Sequence, residues 1–171
     1  MYLKEFKQDL EKARNAEYLV FMLLKGADSA HKYKFEWVGD NKEYYDKGDI
    51  KAIDIATGKE IFIEVKDDSR IADTGNVLCE ERVDYIWHSN IGNIYSAFDV
   101  YTIVSKKENK VYVLDGKILK EIYKKYGCYK YIEHPHQASE VYLLPLYIMK
   151  KQGGLLATID YDLNTRRAKI A

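Results

Sequence analysis

The chain has 171 residues, 47% apolar and 32% charged, a balance that fits one folded domain with a real core and excludes a disordered tail or a fibrous repeat. Lysine and arginine together number 27 and so do aspartate and glutamate, so no net basic field announces a polyanionic partner, and any nucleic-acid surface has to be local. The longest apolar run, residues 18–24, is too short to span a membrane. The opening MYLKEFKQDL carries no signal-peptide pattern, and Cys79 and Cys128 have no metal or redox spacing. The expectation is a single domain over 1–171, intracellular and cytoplasmic, with reduced thiols and no membrane partner.

In chain order, residues 2–25 predict a long amphipathic helix. Its stripe of Leu3, Phe6, Leu10, Ala13, Glu17, Val20 and Leu24 advances by threes and fours. Glu17 is the odd member, because a carboxylate on a core-facing seam is costly unless something charged or hydrogen-bonding meets it. Short strands follow at 33–38, 49–55 and 60–66, the last two flanking the turn Ala56-Thr57-Gly58-Lys59, where glycine permits a positive φ. Residues 76–83 read as a further strand of the same sheet, with Glu80 and Glu81 read as surface strand positions in preference to support behind the site. Strands at 100–104 and 111–114, a helix at 116–126, a late strand at 141–144, a short helix opened by Pro145 and an edge strand at 155–160 complete the order. The last ten residues are polar and expected to be loose. The order is a helix, a mostly antiparallel meander and then mixed elements, so the fold class is α/β or α+β, a central mixed sheet flanked by helices, with a core of about 1–150 and a C-terminal extension over 151–171.

An acid-x-Lys triplet occurs six times, so the triplet alone is weak evidence, but only Glu64-Val65-Lys66 ends a strand of high β propensity. With a turn centred on Thr57-Gly58, Lys51 faces Glu64 and Asp49 faces Lys66. Period-two alternation then projects Asp49, Lys51, Glu64 and Lys66 from one face, at the end of the hairpin away from its turn. Asp49 and Glu64 become a diagonal pair about 7 Å apart, able to meet at one cation. Two converging carboxylates repel unless a cation joins them. Mg²⁺ suits such a site, with Mn²⁺ as a substitute, and a coordinated water can attack a phosphodiester phosphorus.

Asp49 followed after a hairpin by Glu64-Val65-Lys66, and preceded by a helix with an inward glutamate, resembles the PD-(D/E)xK nuclease superfamily of restriction endonucleases and Holliday-junction resolvases. Thr74-Gly75-Asn76-Val77-Leu78 with Glu80 and Glu81, and Phe98-Asp99-Val100-Tyr101 further on, is similar to small phage-type members. The resemblance implies a restriction-endonuclease-like core of helix, three strands, helix and strand, and hydrolysis of DNA. It implies Asp49, Glu64 and the Val65 backbone carbonyl as Mg²⁺ ligands, Lys66 as the catalytic lysine and Glu17 as support for the metal site. Gly48 stands where the motif's name has proline, and no obvious second helix lies between Glu64 and Phe98.

Around the site, Lys47, Lys51 and Arg70 are candidate phosphate contacts, with Lys32 and Arg82 further candidates, and Tyr45, Tyr44 and Trp87 can stack on bases. A homodimer would supply two sites for duplex cleavage. The rival reading is a nuclease-fold module that binds nucleic acid or a protein partner without cleaving it. Glu133-His134-Pro135-His136 is a separate, weaker pattern, a His-x-His pair of a kind that zinc accepts but without a third ligand at a recognised spacing.

Overall fold

The computed structural model describes residues 2–85, 89–134, 137–162 and 167–170. Helix α1 (Tyr2–Ala27) leads into strands β1 (Tyr33–Trp37), β2 (Ile50–Asp54) and β3 (Glu60–Asp67). A one-turn helix α2 (Ile71–Thr74) precedes β4 (Asn76–Tyr85) and β5 (Ser89–Ile91), and then come β6 (Val100–Ser105), β7 (Lys110–Asp115) and helix α3 (Gly116–Tyr126). The chain ends with β8 (Cys128–His134), β9 (Gln137–Pro145), a short α4 (Leu146–Lys151), β10 (Leu155–Asp162) and β11 (Arg167–Ile170). Two sheets result: a seven-stranded one in the order β1-β2-β3-β6-β7-β10-β11, and a four-stranded one in the order β5-β4-β9-β8. The architecture is mixed α+β, with a mixed sheet flanked by helices.

Each face of the large sheet has its own core. On one face α1 lays Ala16 and Val20, 1% and 2% exposed, against Ile50, Ala52, Ile63 and Val65. Val20 and Leu24 of the predicted stripe pack there, but Ala16 takes the buried position expected of Glu17, which lies at the margin. Burying the small Ala16 instead keeps a carboxylate out of the core. On the other face Tyr101, Ile103 and Leu114 pack with Val77, Cys79 and Leu144 of the second sheet and with Leu119 and Met149 of α3 and α4. The Asp115 carboxylate caps α3 by accepting the Ile118 N–H at 2.9 Å.

Four expectations change. The strand at 76–83 belongs to the second sheet, because the edge of β3 is taken by β6 in a parallel pairing that places Glu64 beside Tyr101 and Lys66 beside Ile103. The crossover between β3 and β6 carries β4 and β5 with only one turn of α-helix, while α3 follows β7. β10 is no edge: it pairs with β7 on one side and β11 on the other, so the polar chain end includes a strand. The hairpin register also moves by two residues, setting Lys51 opposite Phe62 and Ile50 opposite Ile63.

That last shift has a local cause. Asp54 Oδ1 accepts the N–H groups of Ala56 and Thr57 at 3.0 and 2.9 Å, and Asp54 N–H donates to the Lys59 carbonyl at 2.9 Å, making a wider loop than the two-residue turn. Gly58 supplies its positive φ of 71°. A two-residue slip preserves every side chain's face. The ladder ends at Ile50–Ile63, where Asp49 N–H also donates to the Ile63 carbonyl at 2.9 Å, so Asp49 sits just past the last pair, close enough to Glu64 for their charges to interact. Among the described residues no helix is long and apolar enough to cross a membrane.

Candidate functional site

The site begins where β2 begins. Gly48 has φ +145°, and a Cβ on it would stand 2.8 Å from the Ile63 carbonyl oxygen. Its N–H donates to the Tyr44 carbonyl at 3.2 Å. Proline, with φ fixed near −65° and no N–H, does not fit this backbone, so glycine here is a requirement of the turn.

Past Asp49, β3 runs on without β2 beside it, and side chains take over its exposed edge. Asp49 Oδ2 accepts the Val65 N–H at 2.8 Å. In a strand the N–H and C=O of one residue leave on the same side, so the Val65 carbonyl opens on the edge that Asp49 occupies. On the other edge of β3 the Glu64 carbonyl accepts the Thr102 hydroxyl at 2.9 Å. The Glu64 side chain, 12% exposed, has the Lys66 ammonium 3.5 Å away. From α1, Glu17 Oε2 accepts the Trp37 indole N–H at 2.7 Å. Gly39 makes room for this reach: a Cβ there would meet Glu17 Oε2 at 2.7 Å and Asp49 Oδ1 at 3.5 Å. The structure thus brings Glu17, Asp49, Glu64 and Lys66 together.

Two cavities open on this group from opposite sides. One, about 280 Å³, includes Gly39, Tyr45, Glu80 and Asn93 in its lining. The other, about 350 Å³, lies on the α1 side with Ala13, Glu17 and Asp67. Asp49, Glu64 and Lys66 line both.

Charge in the site is unbalanced. Burial pushes the Asp49 carboxyl up to about 8, with the Glu64 and Glu17 charges adding to the rise and the Val65 N–H opposing it. Burial also raises Glu64, against the pull of Lys66, and raises Glu17, against the Trp37 hydrogen bond. Burial works against the Lys66 ammonium, but Glu64, Glu80 and Asp49 outweigh it and hold that group above its ordinary value, so it stays charged. Four acids, Glu17, Asp49, Glu64 and Glu80, share one ammonium, and a further cation would relieve their repulsion. Among the described residues no three His, Cys, Asp or Glu side chains are drawn close enough to form a ready metal cage. Asp49 and Glu64 are a two-carboxylate pair, which fits Mg²⁺, an ion commonly held through one or two carboxylates with waters completing its shell.

The peripheral candidates divide. Tyr45 is 63% exposed and lines the first cavity. Lys47 lies over the Tyr44 and Phe62 rings at 5.3 and 5.4 Å. Lys51, on the same face but toward the turn, is buried and engaged by Glu36 at 3.1 Å, Glu60 at 3.3 Å and the Tyr44 hydroxyl at 3.4 Å, which leaves it little reach toward a phosphate. Arg70 pairs with Asp68 at 3.1 Å and lines a small cavity of about 190 Å³ that also touches Lys66 and Glu80. Lys32 sits over Tyr33 at the turn end of the hairpin, and Arg82 is held by Asp84 and Ser89. Trp87, Pro135 and His136 lie outside the described residues, so the His-x-His pattern falls there too.

Sequence reasoning missed Trp37, Gly39 and Asn93, and it weighed Glu80 as support for the site but preferred a surface strand position. Only the acidic pair Glu80-Glu81 left a signal, and that pattern is equally that of a solvated strand face. Compared with protein-family models, with curated proteins and with solved structures, the chain gives no match in any of the three.

Proposed function

We propose that the chain is a Mg²⁺-dependent endonuclease of the PD-(D/E)xK type that hydrolyses DNA phosphodiester bonds. One observation carries the reading: Asp49 and Glu64 stand close together at the end of a hairpin, largely buried, with Lys66 beside Glu64 and Glu17 reaching in from α1. Asp49 and Glu64, with the Val65 carbonyl on the same edge, hold the cation. When bound, Mg²⁺ or Mn²⁺ neutralises charge on the phosphate and acidifies water. Hydrolysis forms a bond from water oxygen to phosphorus and breaks the bond to the leaving sugar oxygen, the water's proton passing to solvent and the sugar oxygen taking one up from it.

Lys66 is a charged ammonium, not a proton acceptor, so its part is to orient the attacking water and offset negative charge that grows on the phosphate. Glu17, tethered to Trp37, keeps the α1 side of the site acidic and fixed. Tyr45 and Lys47, beside the cavity mouth, are the DNA contacts this reading favours, with Arg70 on the far side of Lys66. Two copies of the chain supply the two sites that duplex cleavage needs.

The test is a cleavage panel of linear duplex, nicked, flapped, branched and single-stranded DNA with Mg²⁺, Mn²⁺ or chelator. Cleavage is expected with either metal and none with chelator. Asp49→Asn and Lys66→Ala should each lower the rate by about 100-fold or more. Tight DNA binding without cleavage in either metal would make the chain a binding module and end the nuclease reading.

A further inference from the structure

Glu80 belongs to the second sheet yet stands in the cleft of the first. The register of β4 with β9 slips between Glu80 and Arg82, leaving Glu81 as the extra residue of a bulge. Bulges re-aim side chains, and here the two adjacent acids part. Glu81 accepts the Tyr95 and Tyr123 hydroxyls at 2.8 and 2.7 Å and pairs with Lys124 at 2.5 Å. Glu80 turns the other way, its Oε2 3.7 Å from the Lys66 Nζ and its side chain 22% exposed.

The backbone that carries Glu80 is held on three sides. Gly92 lies so close that a Cβ would come 2.0 Å from the Glu80 carbonyl oxygen. Gly92 N–H donates to the Glu81 carbonyl at 2.8 Å, and Asn93 Oδ1 accepts the Glu80 N–H at 3.3 Å. Asn93 Nδ2 in turn donates to the Tyr101 hydroxyl at 3.3 Å, which donates to the Leu78 carbonyl at 3.1 Å. This much fixing is more than a solvated strand position needs.

Lys66 has two partners with different prospects. Glu64, 3.5 Å away, is also one of the two neighbouring carboxylates that a cation would join. Once Glu64 faces a cation, an ammonium on a flexible four-carbon stem loses that partner and is repelled by the new charge. Glu80 approaches from the opposite sheet and is not opposed to Asp49. We infer that Glu80 is a positioning residue for Lys66: it keeps the ammonium in the cleft when Glu64 is engaged. The consequence for rate rests on the nuclease reading; the positional claim does not.

The experiment follows the Lys66 ε-methylene signal by NMR in ¹³C-lysine-labelled full-length protein, assigned by its loss in Lys66→Arg. Glu64→Gln stands in for a glutamate whose charge is engaged. Lys66 is expected to stay ordered in Glu64→Gln and to become mobile in Glu64→Gln/Glu80→Gln. Equal mobility in the single and double variants overturns the inference, and thermal melting of each variant separates this from loss of fold. Where the wild type cleaves DNA, Glu80→Gln should lower kcat about 10- to 100-fold at little changed KM, with part of the loss recovered in Glu80→Asp. Its Mg²⁺ affinity by calorimetry should stay at the wild-type value. An unchanged kcat, or an affinity loss matching that of Asp49→Asn, overturns the positioning role. A wild type that cleaves no DNA refutes the nuclease reading, and the NMR comparison then decides the inference by itself.

Discussion

Asp49 is pulled two ways. The Val65 N–H at 2.8 Å favours its anion, while burial and the Glu64 and Glu17 charges favour its acid, and the acid wins. A carboxyl whose folded value is about 8, against an ordinary 3.8, binds its proton more tightly in the folded chain than in the unfolded one. Between those two values the folded state carries more protons, so stability declines as pH rises through the window from about 4 to about 8. Glu64 and Glu17, both raised, act with the same sign. The metal-free protein is therefore expected to melt at a lower temperature at pH 8 than at pH 5.5. Asp49→Asn, which keeps an acceptor for Val65 without the charge, should flatten that decline and melt above the wild type at pH 8. Saturating Mg²⁺ should raise the wild type and not the variant. A wild-type melting curve indifferent to pH across this window would contradict the electrostatic account of the site.

At the scale of elements, the hairpin shows what alternation can and cannot tell. Apolar residues at Ile50, Ala52, Ile61, Ile63 and Val65 marked the buried face, and the acids fell on the other, because side-chain period depends on neighbours in sequence. The register did not follow from the same pattern. It depends on Asp54 folding its carboxylate over the next two N–H groups, a choice that competes with the tighter turn at Thr57-Gly58. The helix expected at 116–126 forms over Gly116–Tyr126, with Asp115 as its cap. Membership of β4 in a second sheet, and the bulge that sends Glu80 toward Lys66, depend on β9, some sixty residues later, and have no local signature. Gly48 was visible only as a departure from a motif, and its φ explains it. Gly48→Ala is expected to destabilise the protein by about 2 kcal/mol or more in urea unfolding, from the strained φ and the contact with Ile63. Gly26→Ala, at a helical position with open space around it, should be neutral or slightly stabilising. Similar midpoints for the two variants would remove the backbone argument.

Across the whole molecule, β3 is the hinge of the assembly, paired antiparallel to β2 and parallel to β6. Those pairings differ in how much chain must be organised first. The β2–β3 loop closes over five residues, whereas β3 and β6 meet only after the segment from Asp68 to Asp99, with β4, β5 and a one-turn helix, has been gathered in. Loop closure of that length is slow compared with a hairpin. The parallel pairing should thus arrive late on the folding pathway. In pulse-labelled refolding, amides bonded within β1–β2–β3 are expected to gain protection before those joining β3 to β6, and the reverse order would refute this sequence of events. The site would then be born in two stages. Asp49, Glu64 and Lys66 come together as soon as the hairpin closes, whereas Glu80 arrives only with the crossover. A nascent chain would hold the acidic pair before its lysine is anchored, so on the proposed reading cation binding would precede catalysis.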